Sequence, residues 1–395
     1  MSSTQLHATR DGGERLVIGL RQRLDPALAL AVAALVSLGL VMVASASIGV
    51  ADAQLGNPFH FLVRQVIYVI MGGIMAWGVY CTPLEVWERA GALALLGIFL
   101  LLVLVLLPGV GHTVNGATRW ISLGLFSLQV SEGVKLLATI YLAGYLVRHG
   151  EAVRRSLGGF IKPLLLMGLT TLLLLAQPDF GAAVVLLAMA LGMLFLAGAR
   201  LWQFALLVAG VGLLMGYAIV QTPYRMARLT GFLNPWTDPF DTGFQLTQSL
   251  IAIGSGSWFG VGLGGSVQKL FYLPEAHNDF LFAVLAEELG LVGVAVVVVL
   301  FAVLVWRCFV IAQASESAGR PFGAYLAYGI GIWFGLQAII NMGVNMGLLP
   351  TKGLTLPLMS YGGSSMLMSL AAMGLLARVY RETRASGAAG RRRGS

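Results

Sequence analysis

Between Gln268 and Gly290 the chain carries Lys269, His277 and four acids, Glu275, Asp279, Glu287 and Glu288, although only 11% of its residues are charged. These are the side chains that could do chemistry: a carboxylate takes a proton from a hydroxyl, and cations hold phosphates. Pro274 suits the first position of a helix, where its missing N–H costs nothing. Asp279 would then lie in that helix's second turn, near a membrane surface. A carboxylate where lipid meets water is expensive unless it is solvated, paired or used. On an ideal helix Glu287 lies about 80° from Asp279 and Glu288 lies opposite, so the two glutamates serve different neighbours. His277 is a lone histidine beside Asp279; a hydrogen-bonded structural role is its simpler assignment.

Cations elsewhere complete the set. Arg119, Arg225, Arg228, Lys269 and Lys352 all fall in segments expected on the same side of the membrane as Asp279. Lys352 sits between helix-breaking Pro350 and Gly353. Arg119-Trp120 also reads as an interfacial anchor. Glu132 and Lys135 are three apart, so they share a helix face and can pair. They lie one to two turns inside the membrane, where a structural ion pair and a functional role are both open. Asp179, in Gln177-Pro-Asp-Phe-Gly181, reads as a helix cap. No Ser-His-Asp arrangement and no histidine cluster with metal spacing is present. An acid among cations suggests work on an anionic lipid-linked substrate.

The elements that position these residues are membrane helices. The chain has 395 residues, 58% of them hydrophobic, with mean hydropathy +0.85; a soluble domain carries about 25% charged residues. A bilayer core needs about 20 apolar residues per helical span. Ten runs qualify: 26–47, 61–81, 90–107, 129–147, 160–176, 180–198, 202–221, 280–307, 321–346 and 355–379. The expected fold is therefore an all-α polytopic membrane protein with ten transmembrane helices. A polar tail (1–25) precedes the membrane domain (26–380) and a basic tail (381–395) follows it. Leu16, Leu20 and Leu24 in the first tail fit either a short surface helix or a disordered arm. The first run ends in Ala44-Ser45-Ala46 but is too long for a signal peptide, and is read as a retained helix.

With ten spans and both ends inside, cytoplasmic segments hold 18 of the 25 Lys and Arg residues, which places both termini in the cytoplasm. The net charge of +8 then reflects topology and gives no reason to expect nucleic-acid binding. Cys81 and Cys308 fall near cytoplasmic span ends, where no disulfide is expected. The long segment 222–278 is too long to be structureless, and reads as a folded periplasmic loop. Its residues 245–253 suit a short helix. Its glycines from Gly254 to Gly265 suit re-entrant or closely packed backbone rather than a phosphate loop, which needs Lys-Ser/Thr leading into a helix. Gly362-Gly363-Ser364-Ser365 allows close helix packing.

These strings resemble the SEDS family (shape, elongation, division, sporulation). The resemblance covers the chain beyond its N-terminal tail. It is carried by Tyr272-Leu-Pro-Glu-Ala-His-Asn-Asp-Phe280, Glu287-Glu-Leu-Gly290, Pro350-Thr-Lys-Gly-Leu-Thr-Leu-Pro357 and Ser360-Tyr-Gly-Gly-Ser-Ser365. Ala276, where the elongation relatives usually carry Arg, and the Thr351-Lys352-Gly353 string, which they lack, point to the division branch. The resemblance implies a peptidoglycan glycosyltransferase of the bacterial inner membrane at the division septum. Such an enzyme polymerises lipid II with release of undecaprenyl pyrophosphate. The family's essential Asp falls on Asp279 and its charged fourth-span residues on Glu132 and Lys135. Arg119, Arg225, Arg228, Lys269, His277 and Lys352 join them as the expected substrate-binding set. No organic cofactor is implied; a divalent cation, Mg2+ or Mn2+, is admitted. The implied partners are a class B penicillin-binding protein (an FtsI-type transpeptidase) and FtsQ-, FtsL- and FtsB-type divisome proteins. Val130 stands where the family commonly has Pro, and Ser127 where some members carry a basic residue. Two other functions compete: a lipid II flippase using Arg64, Glu132 and Lys135 as a polar path, and a non-catalytic divisome scaffold.

Overall fold

The computed structural model describes residues 24–114, 117–122, 124, 127–221, 232, 234–238, 243–270, 272–350 and 353–393. Arg225, Arg228, Lys352 and most of the N-terminal tail lie outside the described residues. A helix falls on each of the ten apolar runs: α1 (Pro26–Leu55), α2 (His60–Cys81), α4 (Gly91–Leu106), α5 (Val130–Arg155), α6 (Leu157–Ala176), α7 (Phe180–Leu196), α8 (Leu201–Val220), α10 (Leu281–Ser317), α11 (Pro321–Asn345) and α12 (Gly363–Arg393). Short α3 (Leu84–Arg89) and α9 (Phe244–Ser255) complete the helices. Among the described residues, six helices, α1, α2, α5, α6, α10 and α11, are long and apolar enough to cross a membrane. Helix α12 runs on through Arg393, so residues 381–393 continue the last helix.

The expectation of an all-α chain is corrected by a small antiparallel sheet between α4 and α5, of order β1 (Gly111–Val114), β2 (Ala117–Ser122), β3 (Ser127–Gln129). Its register pairs His112 with Trp120 and Ile121 with Leu128. The sequence signal was Asn115-Gly116 between β1 and β2, the dipeptide that two-residue hairpin turns favour because both central residues need positive φ.

Buried and exposed faces order the bundle. The best membrane window of α5 is 83% buried, that of α2 only 11%; α5 is central and α2 peripheral. Helix α11 packs on α5, α7 and α10, and α12 packs on α2. The α12–α2 contact depends on small residues: a Cβ on Gly363 would come within 2.8 Å of the Tyr68 ring, and one on Gly374 within 2.4 Å of the Ala76 carbonyl oxygen. Ser364 does more than permit packing. Its hydroxyl accepts from Gln129 N (2.7 Å) and donates to the Ser127 carbonyl (3.1 Å), tying α12 to the entrance of α5.

Helix α10 is broken at Gly290 (φ 64°, ψ −163°), a conformation essentially restricted to glycine. The loop after α9 fills the break. Val261 N and Gly262 N donate to the carbonyls of Glu287 (2.9 Å) and Glu288 (3.1 Å), while Leu291 N and Val292 N donate to those of Ser257 (2.9 Å) and Trp258 (3.2 Å). A Cβ on Gly256 would lie 1.9 Å from the Ala286 carbonyl oxygen, so the glycine-rich stretch is closely packed backbone. A broken helix is tolerated in apolar surroundings when its freed groups find partners in this way.

Candidate active site

Asp279 lies in the turns that precede α10, not in the second turn of a helix starting at Pro274. That helix begins only at Leu281, and residues 272–280 form turns. Glu275 at φ 56° makes the bend, a left-handed conformation that costs a non-glycine residue about a kcal/mol or more. The turn places the Asp279 carboxylate against the 353–362 loop, where a Cβ on Gly353 would stand 2.8 Å from Oδ2. Tyr361 N donates to the His277 carbonyl (3.0 Å), stitching the two loops together. The His277 ring packs 4.5 Å from Phe61 and 5.4 Å from Tyr361, centroid to centroid. Burial holds its pKa below the usual histidine value, with Glu275 opposing, so it is a neutral packing element at pH 7.

Asp279 is half-buried, and among the described residues no group donates a hydrogen bond to its carboxylate. Burial first, then the charge of Glu275, pushes its pKa from 3.8 up to about 7; Asp179 adds to the rise and Arg119 opposes it. A carboxyl poised near the working pH is what a general base requires.

Arg119, on β2, is the cation whose charge acts on this group. It donates to the carbonyls of Gln177 (3.1 Å) and Pro178 and lies 3.9 Å from Asp179. Asp179 caps α7 as expected, accepting from Ala182 N (3.2 Å), but its second carboxylate oxygen is buried without a partner. Leu354 bridges from there to Asp279's side of the site: a Cβ on Gly181 would meet its side chain at 2.7 Å.

The remaining expected residues are placed differently. Lys269 is engaged in a buried pair, its ammonium 2.7 Å from Glu288 and 2.9 Å from Ser45 Oγ. Glu287 turns the other way and accepts from Ser266 Oγ and Val267 N; the two glutamates do serve different neighbours. Glu132 and Lys135 form a buried pair at 2.8 Å. Lys135 also donates to Gln337 Oε1 (2.7 Å) and sits 5.2 Å from the Trp333 ring centroid. The pair therefore underlies the 353–356 loop, because Gln337 in turn donates to the Thr355 carbonyl (2.9 Å).

The polar face of α11 adds functional residues beyond the expected set. Gln337, Asn341 and Asn345 recur every four residues in an apolar helix, a pattern that polar residues inside a membrane seldom show without a task. Asn341 Nδ2 donates to the carbonyls of Asp279 (2.9 Å) and Leu354 (2.5 Å), and Asn345 Nδ2 donates to that of Asp279 (3.1 Å).

The chain is similar to known proteins in sequence and in fold. The profile of the cell cycle protein family FtsW/RodA/SpoVE matches residues 26–385. A probable peptidoglycan glycosyltransferase FtsW of Thioalkalivibrio sulfidiphilus is 67% identical over 387 residues, 98% of this chain and 97% of that one. A second, of Thioalkalivibrio sp. K90mix, is 59% identical, covering 92% and 91%. Among solved structures, a chain from a peptidoglycan synthase complex, described as coordinating polymerization and crosslinking, superposes with a TM-score of 0.77 at 31% identity, covering 91% of this chain and 98% of that one. The rod shape determining protein RodA of Thermus thermophilus gives a TM-score of 0.65 at 28% identity, covering 91% and 97%. This chain is a multi-pass membrane protein and belongs to the FtsW/RodA/SpoVE family of cell cycle proteins, the SEDS family.

Proposed function

We propose that this protein is a peptidoglycan glycosyltransferase that polymerises lipid II for septal wall synthesis, with Asp279 as its general base. The observation that carries this is the Asp279 carboxylate itself: half-buried, lacking a hydrogen-bond donor among the described residues, and held with a pKa of about 7. The names of the relatives support the reaction class. In the proposed step the acceptor's GlcNAc 4-hydroxyl gives its proton to Asp279 as its oxygen attacks C1 of the donor MurNAc. The bond from C1 to the pyrophosphate oxygen breaks, undecaprenyl pyrophosphate leaves with the electron pair, and C1 inverts to a β-1,4 link. A positioned base contributes roughly 10²–10⁴-fold. Arg119 is the described cation nearest in effect to Asp279, and with Arg225, Arg228 and Lys352 it holds pyrophosphate charge. Lys269, Glu132, Lys135 and His277 support the walls of the site. Among the described residues no three His, Cys, Asp or Glu side chains converge as metal ligands. A divalent cation, Mg2+ or Mn2+, would supply further charge against the pyrophosphate.

The ten helices are read as ten crossings, with both termini cytoplasmic and residues 222–278 in the periplasm. The protein works at the septum of the inner membrane with a class B penicillin-binding protein and with FtsQ-, FtsL- and FtsB-type proteins. The structural relative that belongs to a peptidoglycan synthase complex supports the pairing of polymerase with crosslinker. The test is purified protein, with and without its cognate transpeptidase, given fluorescent lipid II in detergent and in vesicles. Glycan ladders that grow with the partner are expected. Movement of lipid II across the vesicle bilayer without polymer would establish a flippase instead, and neither activity would leave a scaffold.

A further inference from the structure

Gln337, Asn341 and Asn345 are buried at 1%, 2% and 0% exposure on one face of α11. Among their partners are main-chain carbonyls of two separate loops, those of Asp279, Leu354 and Thr355. The two hydrogens of one amide, Asn341 Nδ2, reach the Asp279 carbonyl in one loop and the Leu354 carbonyl in the other. A single side chain thus sets the separation between the Asp279 main chain and the Gly353–Leu354 segment that its carboxylate touches. Asn345 works from one turn further along. Its Nδ2 gives the Asp279 carbonyl a second donor. Its Oδ1 accepts from Ala283 N (3.2 Å) in the first turn of α10, a helix with no side-chain cap of its own. Ala283 N also donates to the Phe280 carbonyl (3.0 Å), so Asn345 Oδ1 shares this donor and ties the helix start to α11. Ser249 of α9 holds the Asn345 carbonyl at 2.8 Å.

We infer that Asn341 and Asn345 are positioning residues for Asp279, clamping its main chain so that the carboxylate stays seated against Gly353. Gln337 extends the clamp to the Glu132–Lys135 pair. This rests on Asp279 being the base, and acts on no other part of the reaction.

The test uses full-length protein with its cognate transpeptidase. Lipid II polymerisation is followed across a pH series alongside thermal unfolding, for wild type, Asn341→Ala, Asn345→Asp and Asp279→Asn. Asn345→Asp keeps the acceptor for Ala283 N and loses the donor to Asp279. If Asn341→Ala does not fold, Asn341→Ser retains a shorter donor and takes its place. The positioning variants should lose about 10- to 100-fold in kcat, as displacements near 1 Å do, with KM within about threefold. Their acid limb should move to lower pH, because a carboxylate released from its seat meets solvent. It still faces Glu275, Asp179 and Arg119, which do not change. Wild-type kcat and an unchanged acid limb per folded molecule would overturn the inference, as would activity lost only in step with the unfolded fraction. If Asp279→Asn is inactive while the Asn variants are normal, the clamp alone falls. If Asp279→Asn polymerises normally, the general-base reading falls and the clamp with it.

Discussion

At the scale of single residues, the site turns on how burial changes a carboxyl group. The folded state raises the pKa of Asp279 from 3.8 to about 7, so folded protein holds this proton more tightly than unfolded chain. Its contribution to stability is full below about pH 4 and is lost as pH rises through about 7. Asp279→Asn removes that loss. The variant should melt above wild type at about pH 8 and approach it at about pH 5, read by thermal unfolding in detergent. If Asp279 is the base as proposed, the polymerisation rate of wild type should rise through pH 7 as it ionises. The buried Lys269–Glu288 pair is a separate case, in which each charge needs the other. Lys269→Met leaves a carboxylate with no exposed surface and Ser45 as its one side-chain donor among the described residues, and should cost about 3–5 kcal/mol; adding Glu288→Gln should recover most of it. Asp279 was legible in the sequence as a candidate from its type and place. The capture of Lys269 by Glu288 was not, because that pair forms only once the loop folds back on α10.

Elements carry these residues, and their breaks matter as much as their lengths. Gly290→Ala would put a Cβ 2.4 Å from Gly260 N and 2.6 Å from the Trp258 carbonyl carbon. The loop must then move away from α10, on top of a conformational cost of order 1–3 kcal/mol. Membrane insertion should be normal, measured by fractionation, while thermal stability and polymer yield fall together. For α5, reversing Glu132 or Lys135 alone should destroy function. Reversing both should restore it in part, since the pair re-forms but Lys135's bond to Gln337 and its place over Trp333 do not. Full recovery would show that the pair is all that matters. Apolar run lengths revealed the helices because each span must be about 20 residues. The start of α10 was missed because Pro274 fits a helix entrance and a tight turn equally well. The sheet was missed because strands of three to six residues show too little alternation to stand out beside membrane helices.

On the scale of the whole molecule, the bundle brings residues 119, 179, 279 and 353, from four distant parts of the chain, to one end. No local pattern contains that meeting, although the ladder of amides at 337, 341 and 345 hinted at a polar seam inside an apolar core. The proposed orientation sets this end in the periplasm. Reporters fused after Gly265 should signal periplasm, and those after Ser156 or Ser386 cytoplasm. A cytoplasmic signal at Gly265 would put Asp279 on the wrong side of the membrane for its substrate. Polymerisation by the purified protein should be weak alone and stimulated by its cognate transpeptidase; equal rates at matched folding would count against that partnership.

The most direct measurement is lipid II polymerisation by purified wild type, Asp279→Asn and Asp279→Ala, each checked for folding and for binding the transpeptidase. Asn keeps the size of Asp and much of its hydrogen bonding but cannot accept the proton. Both variants are predicted to fold, to bind the partner and to make almost no glycan, a loss of about 10² or more. Near-normal polymer from Asp279→Asn, with Asp279→Ala merely less stable, would contradict the account: Asp279 would then be structural, and the cations alone would carry the site.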